Sequence, residues 1–207
     1  MKKLIGILGL LGILNRNASA EPTLQLEALR EVPVNQTVVR TTASATAPGE
    51  LNLFAFADYV GHSSDAFYSE ASAGRELSQG LGAKLEWNGG TGVNDLFRFG
   101  PEYKRKFFND KLFLDTKIYP ANFGADGILK NIGQFSNFTS LQLPRRSYLE
   151  NWTDVNINYP KITGKPFVQS ETTLGKTLVG NLSLEIQEAH NVNLLGEQAR
   201  VGLRYGF

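Results

Sequence analysis

The 207-residue sequence predicts an all-β chain, a membrane-spanning antiparallel up-and-down barrel of about ten strands, within bounds of roughly eight to twelve. Three observations carry this expectation. Apolar residues recur at every second position in short runs from Glu50 to the end of the chain, which is the period at which strand side chains change face. Short and long connections alternate between those runs, as they do where tight turns close one end of a barrel and loops the other. The chain also stops in mid-alternation on Val201-Gly202-Leu203-Arg204-Tyr205-Gly206-Phe207, although a terminus with nothing to dock on is usually polar and frayed.

In chain order, Lys2 and Lys3 precede the apolar run Leu4 to Leu14, and Ala18-Ser19-Ala20 has the small-x-small form of a cleavage site. Residues 1–20 read as a secretory signal peptide. The run is too short for a membrane anchor, which needs about 20 apolar residues. Cleavage after Ala20 leaves 18 of the 21 basic residues against 20 acidic ones. That balance lacks the basic stripe of a nucleic-acid binder. With no cysteine, the chain has neither a disulfide framework nor a thiolate metal site. In residues 21–49, "LQLEALREV" suits a turn of helix or a strand, and "TTASATAPG" is small, polar and linker-like. This segment is placed outside the barrel wall, with two additional strands as the alternative.

The wall is assigned to residues 50–207. "ELNLFAFADYV" sets Leu51, Leu53, Ala55, Ala57 and Tyr59 against Asn52, Phe54, Phe56 and Asp58. "GLGAKLEWN" opposes Leu81, Ala83, Leu85 and Trp87 to Gly82, Lys84 and Glu86, and "LFRFGPEYK" opposes Phe97, Phe99 and Tyr103 to Arg98, Glu102 and Lys104. "KLFLDTKIY" alternates except at Phe113, and "TDVNINY", "LVGNLSLEIQE" and the last seven residues alternate cleanly. Phe67–Leu77, Gln134–Leu143 and Phe167–Gly175 are weaker members. Short connections are expected near Ser78, Asn109, Arg145 and Gly175, and long ones at 61–66, 88–94, 120–132, 160–165 and 189–198. Tyr59, Trp87, Tyr159, Tyr205 and Phe207 fall at strand ends in the outward phase, where amphipathic rings favour a membrane interface. Tyr119 and Trp152 fall in the inward phase.

The closing heptapeptide resembles the C-terminal β-signal of bacterial outer-membrane β-barrel proteins, in which alternate apolar positions lead to a terminal Phe. The matching residues here are Val201, Leu203, Tyr205 and Phe207. The resemblance implies a bacterial outer-membrane location, outer-membrane lipid around the wall, and assembly by the barrel insertion machinery. Residues 21–49 then become a periplasmic or lumen-associated segment.

If the phase of Phe207 marks lipid, the opposite phase marks the lumen. It collects Asp58, Glu70, Lys84, Glu86, Arg98, Glu102, Lys104, Asp115, Lys117, Asp154, Glu171, Glu185, Arg200 and Arg204. Charges of both signs suit either an ion-paired core or the lining of a narrow passive channel for small polar solutes. Enzymatic readings are weaker. Only His62 and His190 offer imidazole. "GHSSD" sets His62 beside Ser63, Ser64 and Asp65, and lipid A-modifying hydrolases of similar size use His and Ser, but sequence neighbours do not make a triad. No metal-ligand spacing occurs, "NGGTG" lacks the Lys-Ser/Thr of a phosphate loop, and no cofactor is expected. A surface-binding barrel acting through loops such as "PANFGADGILKNI" is a further alternative. The competing fold is a soluble barrel or sandwich with an apolar core.

Overall fold

The computed structural model describes residues 22–32, 36–61, 67–91, 93–124, 129–157, 166–190 and 197–207. The expected signal peptide, the His62-Ser63-Ser64-Asp65 cluster and Tyr159 lie outside them. Twelve strands make up the regular structure of the described residues. They are β1 (Thr23–Val32), β2 (Thr37–Ala47), β3 (Leu51–Val60), β4 (Phe67–Ser78), β5 (Leu81–Gly90) and β6 (Val93–Phe107). The second half comprises β7 (Leu112–Gly124), β8 (Leu129–Leu143), β9 (Ser147–Asn156), β10 (Phe167–Val179), β11 (Leu182–His190) and β12 (Glu197–Gly206).

Every strand pairs antiparallel with its chain neighbours, and β1 pairs with β12 to close the ring. The closing register runs from Gln25 opposite Gly206 to Val32 opposite Ala199, and the Phe207 amide donates to the Leu24 carbonyl at 2.8 Å. Both chain ends of the wall therefore lie at the end of the barrel that carries the tight turns. Closure leaves no strand edge unpaired.

Residues 21–49 are corrected by this topology: they supply β1 and β2 rather than a segment outside the wall. Leu29 points inward among Gln25, Glu27 and Glu31, while Arg30 is exposed, so the alternation of β1 is broken twice. In β2 both faces are small or β-branched apart from Arg40, with Val38, Arg40, Thr42, Ser44 and Thr46 inside and Val39, Thr41, Ala43, Ala45 and Ala47 outside. Such a strand carries almost no hydrophobic contrast, yet Thr and Val suit extended backbone.

The strict alternation of connection lengths is also corrected. β5 and β6 extend through the Gly-rich stretch and leave only residues 91–92 between them, and β7 and β8 extend to Gly124 and from Leu129. Irregular pairing at Asn88/Gly90 and Asn122/Phe123 lets the strands continue where the composition resembles loop. Pro101 is tolerated in β6 because the register with β7 shifts between Arg98 and Glu102.

Four of the five tight turns share one backbone device, the β10–β11 turn using Gly180 alone. Gly49-Glu50, Gln79-Gly80 and Arg145-Arg146 each place two successive residues at positive φ, and Phe108, Asn109 and Asp110 place three. Left-handed residues match the twist of the flanking strands.

Outside, the wall is apolar. Leu26, Leu85, Phe97, Phe99, Ile118, Phe135, Leu149, Leu174, Leu184, Ile186, Val201 and Leu203 are between 37 and 63% exposed and cover β1 and β5 to β12. A soluble protein does not leave so continuous an apolar surface to water. The competing soluble fold would bury this phase; here it faces out and the charged phase faces in.

Candidate functional site

Two groups of charged residues fill the barrel interior. In the first, Arg40 on β2 donates to both oxygens of Asp58 on β3 at 2.8 Å, and to Glu171 on β10 at 2.5 and 3.2 Å. Arg200 on β12 donates to Glu31 at 2.9 Å, Glu171 at 3.0 Å, Gln187 at 2.9 Å and Gln198 at 2.8 Å. Arg204, further along the same face, lies 2.7 Å from both Glu27 and Glu185 and 2.9 Å from Glu150. These contacts join β1, β2 and β3 to β9, β10 and β11 through the interior, across strands that share no ladder.

One glycine makes room for part of this group. Gly175 on β10 stands in register between Tyr148 on β9 and Glu185 on β11. The Tyr148 ring occupies the space that a Cβ at Gly175 would need, and its hydroxyl reaches over to donate to Glu185 at 2.5 Å.

The second group lies on β4 to β9. Arg98 is 2.8 Å from Glu86, which accepts a 2.7 Å hydrogen bond from Tyr119, and the Arg98 guanidinium stands 5.4 Å from the Tyr119 ring centre. Arg98 also donates to Gln134, which donates to Asp154. Glu102 pairs with Lys104 at 3.0 Å and Lys84 at 3.4 Å, and Lys117 lies 3.6 Å from Asp115. Charges at this depth need partners, because unpaired buried ions are costly.

Of the fourteen residues assigned to the inner phase from sequence, Asp58, Lys84, Glu86, Arg98, Glu102, Asp115, Lys117, Asp154, Glu171, Glu185 and Arg200 are buried. Glu70, Lys104 and Arg204 are half-buried and line the same interior. The sequence reading misses Glu27, Glu31 and Arg40, which sit on the two unassigned strands, and Glu150, which precedes the first alternating run of β9. The Glu27 and Glu31 pair at strand spacing is the available signal. With these four, and among the described residues, eleven carboxyl groups share the interior with seven basic groups.

A cavity of about 1150 Å³ runs between the walls. Its lining begins with Thr23, Thr46 and Asn52 near the turn end and continues to Phe67, Thr91 and Asn156 near the loop end. Phe54, Phe56, Tyr68, Phe113, Phe138 and Trp152 also line it. The Phe113 that breaks the alternation of its run is thus an inward aromatic, and Trp152 joins it.

At the chain terminus, Val201, Leu203, Tyr205 and Phe207 all face outward, 44 to 68% exposed, with the Tyr205 and Phe207 rings edge-on at 4.8 Å.

No protein-family model matches the chain, and no curated protein matches its sequence. Solved structures do. One, described as "Unveiling the Mechanism Behind the in-meso Crystallization of Membrane Proteins", superposes with a TM-score of 0.53 at 12% identity, covering 89% of this chain and 83% of the other. A mutant form of the Rh. blastica porin covers 90% of this chain and 98% of its own at 8% identity, with a TM-score of 0.37. The first likeness is one of fold. Together with the apolar outer surface, it describes a closed, twelve-stranded, up-and-down β-barrel of the membrane-embedded kind.

Proposed function

We propose that this protein is a passive channel of a bacterial outer membrane, passing small polar solutes through the barrel interior. The observation that carries the reading is the cavity, whose lining residues come from both ends of the strands. The charged side chains along it provide polar partners for a solute shedding water, and pore width and lining charge decide what permeates. The signal-like residues 1–20 and the outward Val201, Leu203, Tyr205 and Phe207 support delivery to that membrane by the barrel assembly machinery. The test is conductance. Mature protein refolded into planar bilayers should give discrete, small current steps. A sample that shows the heat-dependent gel shift of a folded barrel but never conducts would overturn the channel.

A further inference from the structure

We propose that the inner wall of β7, β8 and β9 binds small organic cations, amines or quaternary ammonium ions with an apolar body. The proposal names the solute class for the channel reading above, and rests on that reading for its physiological sense but not for its geometry. Asp115 on β7 stands in register with Phe138 on β8, and Phe138 with Trp152 on β9. Asp154 lies two residues beyond Trp152 and so on the same face. All four side chains line the cavity.

Two properties meet in this patch, the first shared with Glu27, Glu31, Glu102 and Glu185 and the second found beside Asp115 and Asp154. Asp115 and Asp154 are only 7 and 6% exposed, yet among the described residues Oδ1 of each accepts no hydrogen bond. Their other oxygens are engaged: Oδ2 of Asp115 faces Lys117 at 3.6 Å, a charge contact too long for a hydrogen bond, with Lys84 and Lys104 also in its field, and Oδ2 of Asp154 accepts from Gln134, with the Ser136 side chain in register beside the carboxylate. Both Oδ1 atoms are closed to the cavity as the carboxylates stand, so a guest's donor meets one only when the carboxylate turns, and an acceptor in that state favours the donor it then meets. The second property concerns the rings. Phe56 and Phe54, across the cavity on β3, already carry cations of the chain, with Arg40 at 5.5 Å and Lys84 at 5.8 Å from the ring centres. Among the described residues no such cation stands over Phe138 or Trp152.

A ring face beside an unsatisfied carboxylate oxygen is complementary to an ammonium group attached to hydrocarbon, through cation–π attraction and a charge-assisted hydrogen bond. The interior excess of carboxyl over basic groups opposes an anionic guest of the same size.

The test uses the folded barrel in detergent micelles at neutral pH. Trp87→Phe leaves Trp152 as the sole indole, and its fluorescence is titrated with phenethylamine, 2-phenylethanol and phenylacetate. Phenethylamine should give a saturable change, with the alcohol and the acid at least about tenfold weaker. Asp115→Asn combined with Asp154→Asn should weaken phenethylamine by about tenfold or more, and Phe138→Leu alone by a few-fold. If the double variant does not refold, Phe138→Leu carries the same decision. Equal responses to all three probes, or affinity unchanged by the refolded variants, would overturn the site. Binding without conductance in bilayers would refute the channel and keep the site. Conductance with no saturable response would do the reverse.

Discussion

Gly175 shows how one missing side chain organises several others. The absence of a Cβ lets the Tyr148 ring lie across β10 and reach Glu185, which also contacts Arg204. Gly175→Ala should drive the ring off this position and cost about 1–3 kcal/mol, as overpacking does. Chemical unfolding from detergent or vesicles would measure it. In a Tyr148→Ala background the same substitution should be nearly silent, and an equal cost in both backgrounds would show that the ring is not what the glycine accommodates. None of this can be read from the sequence. There Gly175 ends a weak run and reads as a turn signal, because a glycine inside a strand and a glycine in a turn look alike until the cross-strand neighbour is known.

Among the elements, the tight turn between β8 and β9 carries Arg145 and Arg146 at φ of 59° and 61° with no glycine to relieve them. Left-handed backbone is costly for residues with a Cβ. The contact that Arg146 supplies is a backbone one, the Thr177 amide donating to its carbonyl at 2.9 Å, so the side chain is dispensable. Arg146→Gly should therefore stabilise the barrel by about 1 kcal/mol, visible as a raised denaturant midpoint at unchanged slope; a fall would mean that the arginine has a packing role. The strands from β3 onward are legible as alternating runs where large apolar groups oppose charges, as in β5 with Leu85 and Glu86. β1 and β2 are not. Leu29 inside and Arg30 outside invert the pattern in one, and Val and Thr on both faces flatten it in the other. What demands those strands is closure, a requirement of the complete ring that no local window contains.

Over the whole molecule, inside and outside are readable together, because a single phase assignment propagates through every hairpin once one strand is fixed. The partnerships within the interior are not, since Arg40 meets Glu171 at a separation of 131 residues. Among the described residues, eleven carboxyl groups against seven basic groups give the interior an acidic balance. In a gradient of potassium chloride the reversal potential should take the sign set by K⁺, and Glu27→Gln with Glu150→Gln should move it toward zero. A chloride-selective current would contradict the placement of these charges along the conducting path. The contacts of Arg40 and Arg200 with Glu171 also stiffen the barrel across its bore. A ring of strands joined only edge to edge is a thin-walled tube, stiff along its length but easily flattened, because ovalising it bends each ladder only slightly. Chords from β2 and β12 to β10 act as struts that fix some of its diameters. Lateral pressure on the wall is then borne by ion pairs in the bore, so the cross-section resists squeezing from within.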